Sequence, residues 1–90
     1  MTRMAYTVTF KASALKHIEK LPRPVAARIV AKVESLAVEP RPPGCVKLAG
    51  GANLWRLRVG VYRIVYAIDD KSEGVDVRIV AHRREVYRGM

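Results

Sequence analysis

The sequence predicts an α+β fold in which an antiparallel sheet of about four strands packs against an N-terminal helical hairpin, in the order β-α-α-β-β-β. Apolar residues recur at helical spacing between positions 13 and 38, which indicates two helices. Short segments before and after this region alternate between apolar and polar residues, as half-buried strands do. The 90 residues suffice for one core, so we expect a single domain over residues 1–90, with residues 1–3 as an alternative start or a disordered end.

The first half of the chain predicts one strand and the two helices. Alternation from Tyr6 to Phe10 indicates the strand. Ser13 can cap the first helix, and Pro22-Arg23-Pro24 ends it and begins a second that runs to about Val38. The positions expected to face the sheet are Ala14, Leu15, Ile18, Leu21, Val25, Ile29, Val33 and Leu36.

A loop and a last strand are predicted on either side of a central hairpin. Prolines and glycines from Glu39 to Asn53 predict a loop. Its Lys47 either reaches towards the arginines of the central hairpin or is a solvated loop charge. The strand covers residues 75–81, and simple alternation divides it into two faces. One face is expected to hold Val75, Val77, Ile79 and Ala81, and the other Asp76, Arg78, Val80 and His82.

The segment from Leu54 to Tyr66 predicts a hairpin with three arginines on one face. Gly60-Val61 fits a two-residue type II′ turn, because glycine adopts positive φ readily. Counting outward from this turn predicts the pairs Val59–Tyr62, Arg58–Arg63, Leu57–Ile64, Arg56–Val65 and Trp55–Tyr66. Like charges directly opposite each other destabilise a sheet, so Arg58 against Arg63 indicates that the pair binds an anion, most simply a phosphate.

The composition favours a polyanionic partner. The formal net charge is +9, and arginine contributes eleven of the seventeen basic residues. Arginine pairs bidentately with phosphate, whereas lysine acts as a point charge. The single cysteine cannot form an internal disulfide, and the sequence has neither a signal peptide nor a long apolar run. We therefore expect a cytoplasmic protein without a membrane partner.

The last segment supplies the groups that could move a proton. Arginine stays protonated at neutral pH and is a poor general base. His82 and Tyr87 are the titratable candidates, with ordinary pKa values of about 6.5 and about 10. Each has a structural alternative, His82 as a strand-end residue with a satisfied hydrogen bond and Tyr87 as a packing aromatic. Arg84 and Arg88 either contact RNA or are solvated charges.

Three segments together carry a family resemblance. They are Lys47-Leu48-Ala49-Gly50, then Leu54-Trp55-Arg56-Leu57-Arg58-Val59-Gly60-Val61-Tyr62-Arg63-Ile64-Val65-Tyr66, and finally His82-Arg83-Arg84-Glu85-Val86-Tyr87. In this order, after a strand and two helices, they resemble the RelE-type toxins of the RelE/ParE superfamily. The resemblance covers nearly the whole chain from Met4. Each segment alone is only weakly specific for this family, whereas the hairpin together with the terminal segment is fairly specific.

The resemblance implies a role for five residues. The basic pair of the family's second strand falls on Arg56 and Arg58, its phosphate-contacting arginine on Arg63, its late arginine on Arg83 and its catalytic tyrosine on Tyr87. Lysines are found at the second-strand pair in the best-known pattern. Because the pKa of an arginine can hardly be tuned, the identity of the general base stays open between Tyr87 and His82.

The resemblance also implies a function and partners. It implies a type II toxin that enters the ribosomal A site, cuts messenger RNA there, and is held inactive by a cognate RelB-like antitoxin, with a toxin–antitoxin complex on operator DNA as a further possibility. The corresponding reaction is attack of the nucleotide's own 2′-hydroxyl on the adjacent phosphate, without a metal or another cofactor.

Two other functions fit the same fold or charge. The ParE branch inhibits DNA gyrase by protein contact. It lacks the group of residues near the C-terminus that His82, Arg83 and Tyr87 form in this sequence. A non-catalytic RNA-binding or ribosome-binding module needs the basic face but has no need of Tyr87.

Overall fold

The computed structural model describes residues 5–49 and 53–82, and it confirms the α+β class. In chain order, the elements are β1 (Thr7–Phe10), α1 (Ala12–Glu19), α2 (Arg23–Ser35), β2 (Val46–Lys47), β3 (Leu54–Val59), β4 (Tyr62–Asp69) and β5 (Gly74–His82). The five strands form one sheet in the order β1-β5-β4-β3-β2. The sheet is mixed, because β1 pairs parallel to β5 while the other pairs are antiparallel. The fifth strand is the short β2, which forms inside the segment predicted as a loop.

The two helices cover one face of the sheet. Ile29 and Val33 of α2 are fully buried and pack with residues of β3, β4 and β5 in one core. Pro24 occupies the first turn of α2, where its missing N–H leaves no hydrogen bond unmade. The predicted cap of α1 is wrong, because α1 begins at Ala12 and Ser13 lies inside it. Leu15, expected in the core, is 45% exposed, and α2 ends at Ser35 rather than near Val38.

The central hairpin has the predicted register at every pair from Val59–Tyr62 to Trp55–Tyr66. Gly60 has a φ of 60°, which glycine adopts without the steric cost that a Cβ atom would add. The two-residue turn therefore fixes which side chains of β3 and β4 share a face.

A β-bulge reverses the faces predicted for the end of β5. Val65 pairs with Ile79 but the next residue, Tyr66, pairs with Val77, so Arg78 is an extra residue in β5. Beyond the bulge, the alternation is shifted by one position. Val80 is consequently 2% exposed and shares the helix-covered core with Val77, whereas Ile79 is 38% exposed, so the predicted grouping of faces is wrong from Ile79 onward.

The segment between α2 and β3 is held to the sheet by polar contacts. The Tyr66 hydroxyl donates to the Pro40 carbonyl over 2.8 Å, and burial raises the pKa of that phenol well above its usual range. The Arg41 guanidinium pairs with Asp70 at 2.8 Å and lies 5.1 Å from the centre of the Trp55 ring. The Tyr6 hydroxyl donates to the same carboxylate over 2.7 Å. Asp70 therefore connects the residue that precedes β1 to the segment between α2 and β3.

Asp70→Asn is expected to lower the thermal midpoint at neutral pH and to have a smaller effect in acid. Hydrogen bonds from Arg41 and Tyr6 hold the pKa of Asp70 below its usual range. A carboxyl whose pKa is lower in the folded state stabilises that state fully above its unfolded pKa of about 3.9, and this contribution is lost as the pH falls through the folded-state pKa. Thermal unfolding of both proteins across this pH range measures the difference. Glu34→Gln is the control, since Glu34 is exposed and forms no ion pair within the described residues. An Asp70→Asn effect that is independent of pH would contradict this account.

Neither helix of the described residues is long and apolar enough to cross a membrane.

Candidate functional site

The hairpin brings Arg56, Arg58 and Arg63 together on the side of the sheet that the helices leave uncovered, and this surface is the arginine face. Arg58 lies directly opposite Arg63, and Arg56 lies opposite Val65. Residues paired in this way project their side chains to the same side of a sheet. Arg58 is exposed, while Arg56 and Arg63 are half-buried. The structure thus places the three predicted arginines side by side.

The charges of the described residues are segregated along the sheet. Arg63 stands near the beginning of β4 and Asp69 ends it, six residues or about 20 Å further on. Asp69, Asp70, Glu73 and Asp76 lie at that far end, in and beside the turn between β4 and β5. The ion pairs of the described residues, Arg41–Asp70 and Arg78–Asp76, are in the same half. No carboxylate of residues 5–49 and 53–82 forms an ion pair with Arg58, so this guanidinium can accept an external anion.

Apolar side chains adjoin the arginines on the same face. Val65 and Ala81 are 2% and 7% exposed, and they form a small cluster with Leu48 and Leu54 that is separate from the main core. Val65 is directly opposite Arg56, and Ala81 is opposite Arg63. Because Val65 and Ala81 are buried, this cluster supports the strands that carry the arginines, and only the guanidinium groups are suited to bind a phosphate.

Two predicted site residues, His82 and Lys47, lie on the helix side of the sheet. His82 pairs with Tyr62, and their rings meet edge to face with centroids 5.6 Å apart. Lys47 lies opposite Trp55 in β2. The structure therefore does not bring either residue onto the arginine face. The role of His82 as a general base and that of Lys47 as an RNA contact stay predictions, and this placement does not favour them.

The other predicted site residues are Arg83, Arg84, Tyr87 and Arg88, which lie outside the described residues. Their roles stay predictions.

One sizeable cavity among the described residues lies away from the arginines. This cavity, of about 600 Å³, lies at the opposite end of the sheet, and its lining includes Thr9, Asp69 and Asp76. Carboxylates disfavour a phosphate group there. At the arginine face, Arg58 is exposed rather than enclosed, which suits a polymer that lies across the surface better than a small molecule held in a cavity.

The arginine face can bind and stabilise negative charge but lacks a proton acceptor among the described residues. Arginine is a donor-only side chain, so Arg56, Arg58 and Arg63 supply no proton acceptor. No group of three or more histidine, cysteine, aspartate or glutamate side chains in residues 5–49 and 53–82 is arranged to hold a metal ion. A reaction on this face therefore needs a base from elsewhere, or from the substrate.

Sequence reasoning missed Arg41. This residue lies between prolines in a segment with no periodic pattern, so the sequence offers no signal for its contact with Trp55.

Comparison with known proteins identifies the family. Residues 8–87 match the family model of the ParE toxin of type II toxin–antitoxin systems. The chain is 35% identical over 86 residues to Toxin RelG of Mycobacterium tuberculosis, covering 94% of this chain and 99% of that protein. Among solved structures, RelE in the archaeal RelE–RelB complex from Pyrococcus horikoshii has a TM-score of 0.80 at 27% identity, over 89% of this chain and 97% of that one. The RelBE2 toxin–antitoxin complex of M. tuberculosis gives a TM-score of 0.78 at 32% identity, over 91% of this chain and 95% of that one.

A helical hairpin on a mixed sheet, with an arginine-bearing strand pair and this family match, defines a toxin of a type II toxin–antitoxin system. The chain belongs to the RelE/ParE superfamily, and its relatives place it among the RelE-type toxins.

Proposed function

We propose that this toxin is a ribosome-dependent endoribonuclease that cuts messenger RNA in the ribosomal A site. The observation that carries the proposal is Arg58 directly opposite Arg63, with Arg56 on the same open face. Keeping two guanidinium groups opposed costs stability, and an RNA phosphate between them offsets that cost.

The reaction is attack of a 2′-hydroxyl on the adjacent phosphorus. A bond forms between the 2′ oxygen and phosphorus as the bond to the 5′ oxygen breaks, and the products end in a 2′,3′-cyclic phosphate and a 5′-hydroxyl. Arg58 and Arg63 stabilise the charge that grows on the non-bridging oxygens, and Arg56 adds a second phosphate contact. Arg83 stabilises the departing 5′ oxygen, which takes its proton from water.

The proton of the 2′-hydroxyl passes to Tyr87 in this proposal, with His82 as the alternative. Packing of the His82 ring against Tyr62, on the helix side of the sheet, argues for Tyr87. Nearby guanidinium groups favour the phenolate and thereby lower the pKa of a tyrosine.

A cognate antitoxin completes the system in this proposal. Several structural relatives are toxins in complex with RelB antitoxins, including the P. horikoshii and M. tuberculosis complexes described above. The partner we expect is an acidic, amphipathic segment whose charge complements the arginine face. Toxin and antitoxin together would also be able to bind operator DNA.

Mapping the cleavage ends on translating ribosomes tests the reaction. We expect the purified wild-type chain to leave 5′-hydroxyl ends and 2′,3′-cyclic phosphates, and Tyr87→Phe to lower the cleavage rate by about 100-fold or more while ribosome binding is retained. Products with 5′-phosphate ends would exclude the proposed chemistry. Equal cleavage by the two proteins would exclude Tyr87 as the base and turn attention to His82→Gln.

Inhibition of DNA gyrase is the second candidate, because the matching family model is described as a ParE toxin. Two variants separate these functions. Growth arrest that survives both Arg63→Ala and Tyr87→Phe, together with gyrase inhibition by the purified protein, would favour the ParE-like function. Growth arrest that disappears with cleavage would favour the ribonuclease.

A further inference from the structure

Two exposed apolar side chains lie on the arginine face, on either side of the arginines. Val46 of β2 is 46% exposed and lies directly opposite Arg56. Ile79 of β5 is 38% exposed and lies directly opposite Val65. Because Arg56 also pairs with Val65, and paired residues project to the same side of a sheet, these side chains form one row across the uncovered face. We call Val46 and Ile79 the flanking apolar pair.

The β-bulge in β5 places Ile79 in this row. Arg78 is the extra residue of the bulge, so Val80 enters the helix-covered core and Ile79 projects to the opposite side. A branched aliphatic side chain that is left 38% exposed forgoes part of the burial that would stabilise the fold. Bulges occur often beside active sites, where they change the direction of a side chain. Here the bulge directs Ile79 to the face that carries the arginines.

The flanking apolar pair is placed symmetrically about Arg58 and Arg63. Ile79 lies on the strand beside Arg63, two residues before the residue that pairs with Arg63. Val46 pairs with the residue two positions before Arg58. With strands about 4.8 Å apart and residues about 3.4 Å apart along a strand, each separation is about 8 Å between Cα atoms. A base is joined to its phosphate through one sugar, so a phosphate held by the two arginines brings the bases on its two sides within reach of this pair.

This arrangement fits two nucleotides better than the apolar stripe of a protein helix. Val46 and Ile79 are three strands apart, which is about 14 Å. Between them lie the half-buried Arg56 and the almost fully buried Val65. An amphipathic helix presents its apolar residues as a continuous stripe, whereas single-stranded RNA presents apolar base faces on both sides of a charged phosphate. The sequence of apolar, charged and apolar positions across the sheet matches the RNA.

We propose that Val46 and Ile79 are specificity-determining residues, each of which packs against the base of one of the two nucleotides that flank the scissile phosphate. This rests on the proposed function and extends it from the phosphate to the bases. An aliphatic side chain against a base removes apolar area from water without pairing with the hydrogen-bonding groups of the base. The arginines bind the phosphate, and the flanking apolar pair determines which bond of the messenger lies over them.

A thermodynamic cycle between side chain and base tests these contacts. Wild type, Ile79→Thr and Val46→Thr cut messengers on ribosomes under subsaturating single-turnover conditions, with the natural sequence or with an abasic nucleotide on one side of the scissile bond. Threonine is β-branched and suits a strand, but it presents a hydroxyl in place of apolar surface. We expect each variant to cut the natural messenger about fivefold more slowly. The loss should disappear when the base that the side chain contacts is absent, and the two residues should couple to opposite flanks.

Two control variants accompany the cycle. Ile79→Val keeps an aliphatic side chain and is expected to retain at least about half of the wild-type rate on the natural messenger. Val38 is 59% exposed and lies between α2 and β2, outside the sheet. Val38→Thr is therefore expected to cut every messenger as wild type does. Thermal midpoints of all variants show that each is folded.

The remaining outcomes would contradict the inference. A merely structural role would slow the cutting of natural and abasic messengers by the same factor, and this result would overturn the base contacts while the proposed cleavage stands. Unchanged cleavage in both threonine variants, with weaker antitoxin binding, would overturn them in favour of an apolar contact with the antitoxin. Coupling of both residues to the same flank would also overturn them. If the wild type cuts no messenger, the proposed function falls and this inference falls with it.

Discussion

Arg63→Ala is expected to lower the rate of messenger cleavage on the ribosome by about 100- to 1,000-fold, the range found when one preorganised donor to a transition-state oxyanion is removed. Arg63 is half-buried on β4 and lies directly opposite Arg58, so the sheet fixes where its guanidinium stands. A donor held by the fold before substrate arrives needs little reorganisation as charge develops. Single-turnover cleavage at saturating toxin measures this loss apart from binding.

A matched control exists on the neighbouring strand. Arg78→Ala removes the same charge from β5, where Arg78 pairs with Asp76 at the acidic end of the sheet. We expect this variant to keep at least about half of the wild-type rate, because screening weakens a charge at that distance. Equal losses in Arg63→Ala and Arg78→Ala would show that cleavage follows net charge, and the arginine face would lose its assigned role.

Arg58→Ala should separate activity from stability. Arg58 is exposed and forms no ion pair with the described residues, and its nearest cross-strand neighbour is another arginine. Removing it is therefore expected to impair cleavage without lowering the free energy of unfolding.

Local rules predicted the arginine face correctly because its geometry depends on one turn. Gly60-Val61 sets the register of β3 and β4, and with a side-chain period of two the register decides every face. Three arginines that lie close together in the sequence thus become neighbours in the sheet without any long-range contact. The α+β class followed similarly from periodicity in the helices and strands.

The features that sequence reasoning missed depend on contacts between distant residues. The parallel pairing of β1 with β5 joins Thr7–Phe10 to residues 74–77, far apart in the chain, and no local pattern encodes it. The short β2 forms because β3 offers it an edge. Arg41 contacts Asp70 and Trp55, which are distant from it in the chain and are brought close by the sheet.

The β-bulge in β5 accounts for the misplacement of His82. Strict alternation put His82 on the same side as Arg78 and Val80, and on the opposite side from Val75 and Val77. The extra residue Arg78 shifts the remainder of the strand, so Val80 enters the core and His82 follows it to the side of Tyr62. One inserted residue thus separates a predicted catalytic group from the arginines.

Substitutions at two consecutive positions test the bulge directly. Val80→Asp is expected to lower the free energy of unfolding by several kcal/mol, because it places a carboxylate in the helix-covered core, where Val80 is 2% exposed. Ile79→Asp, at a position that is 38% exposed, should cost less than about 1 kcal/mol. Chemical denaturation of both variants measures the difference.

Without the bulge, Ile79→Asp would be the more destabilising of the two substitutions, since strict alternation buries Ile79 and exposes Val80. If Val80→Asp fails to fold, Val80→Ala is the milder replacement, with an expected cost of about 1.5–3 kcal/mol against a smaller cost for Ile79→Ala. A larger loss at Ile79 in either pair would place Ile79 in the core instead. His82 would then share the face of Arg63, and its candidacy as the general base would regain geometric support.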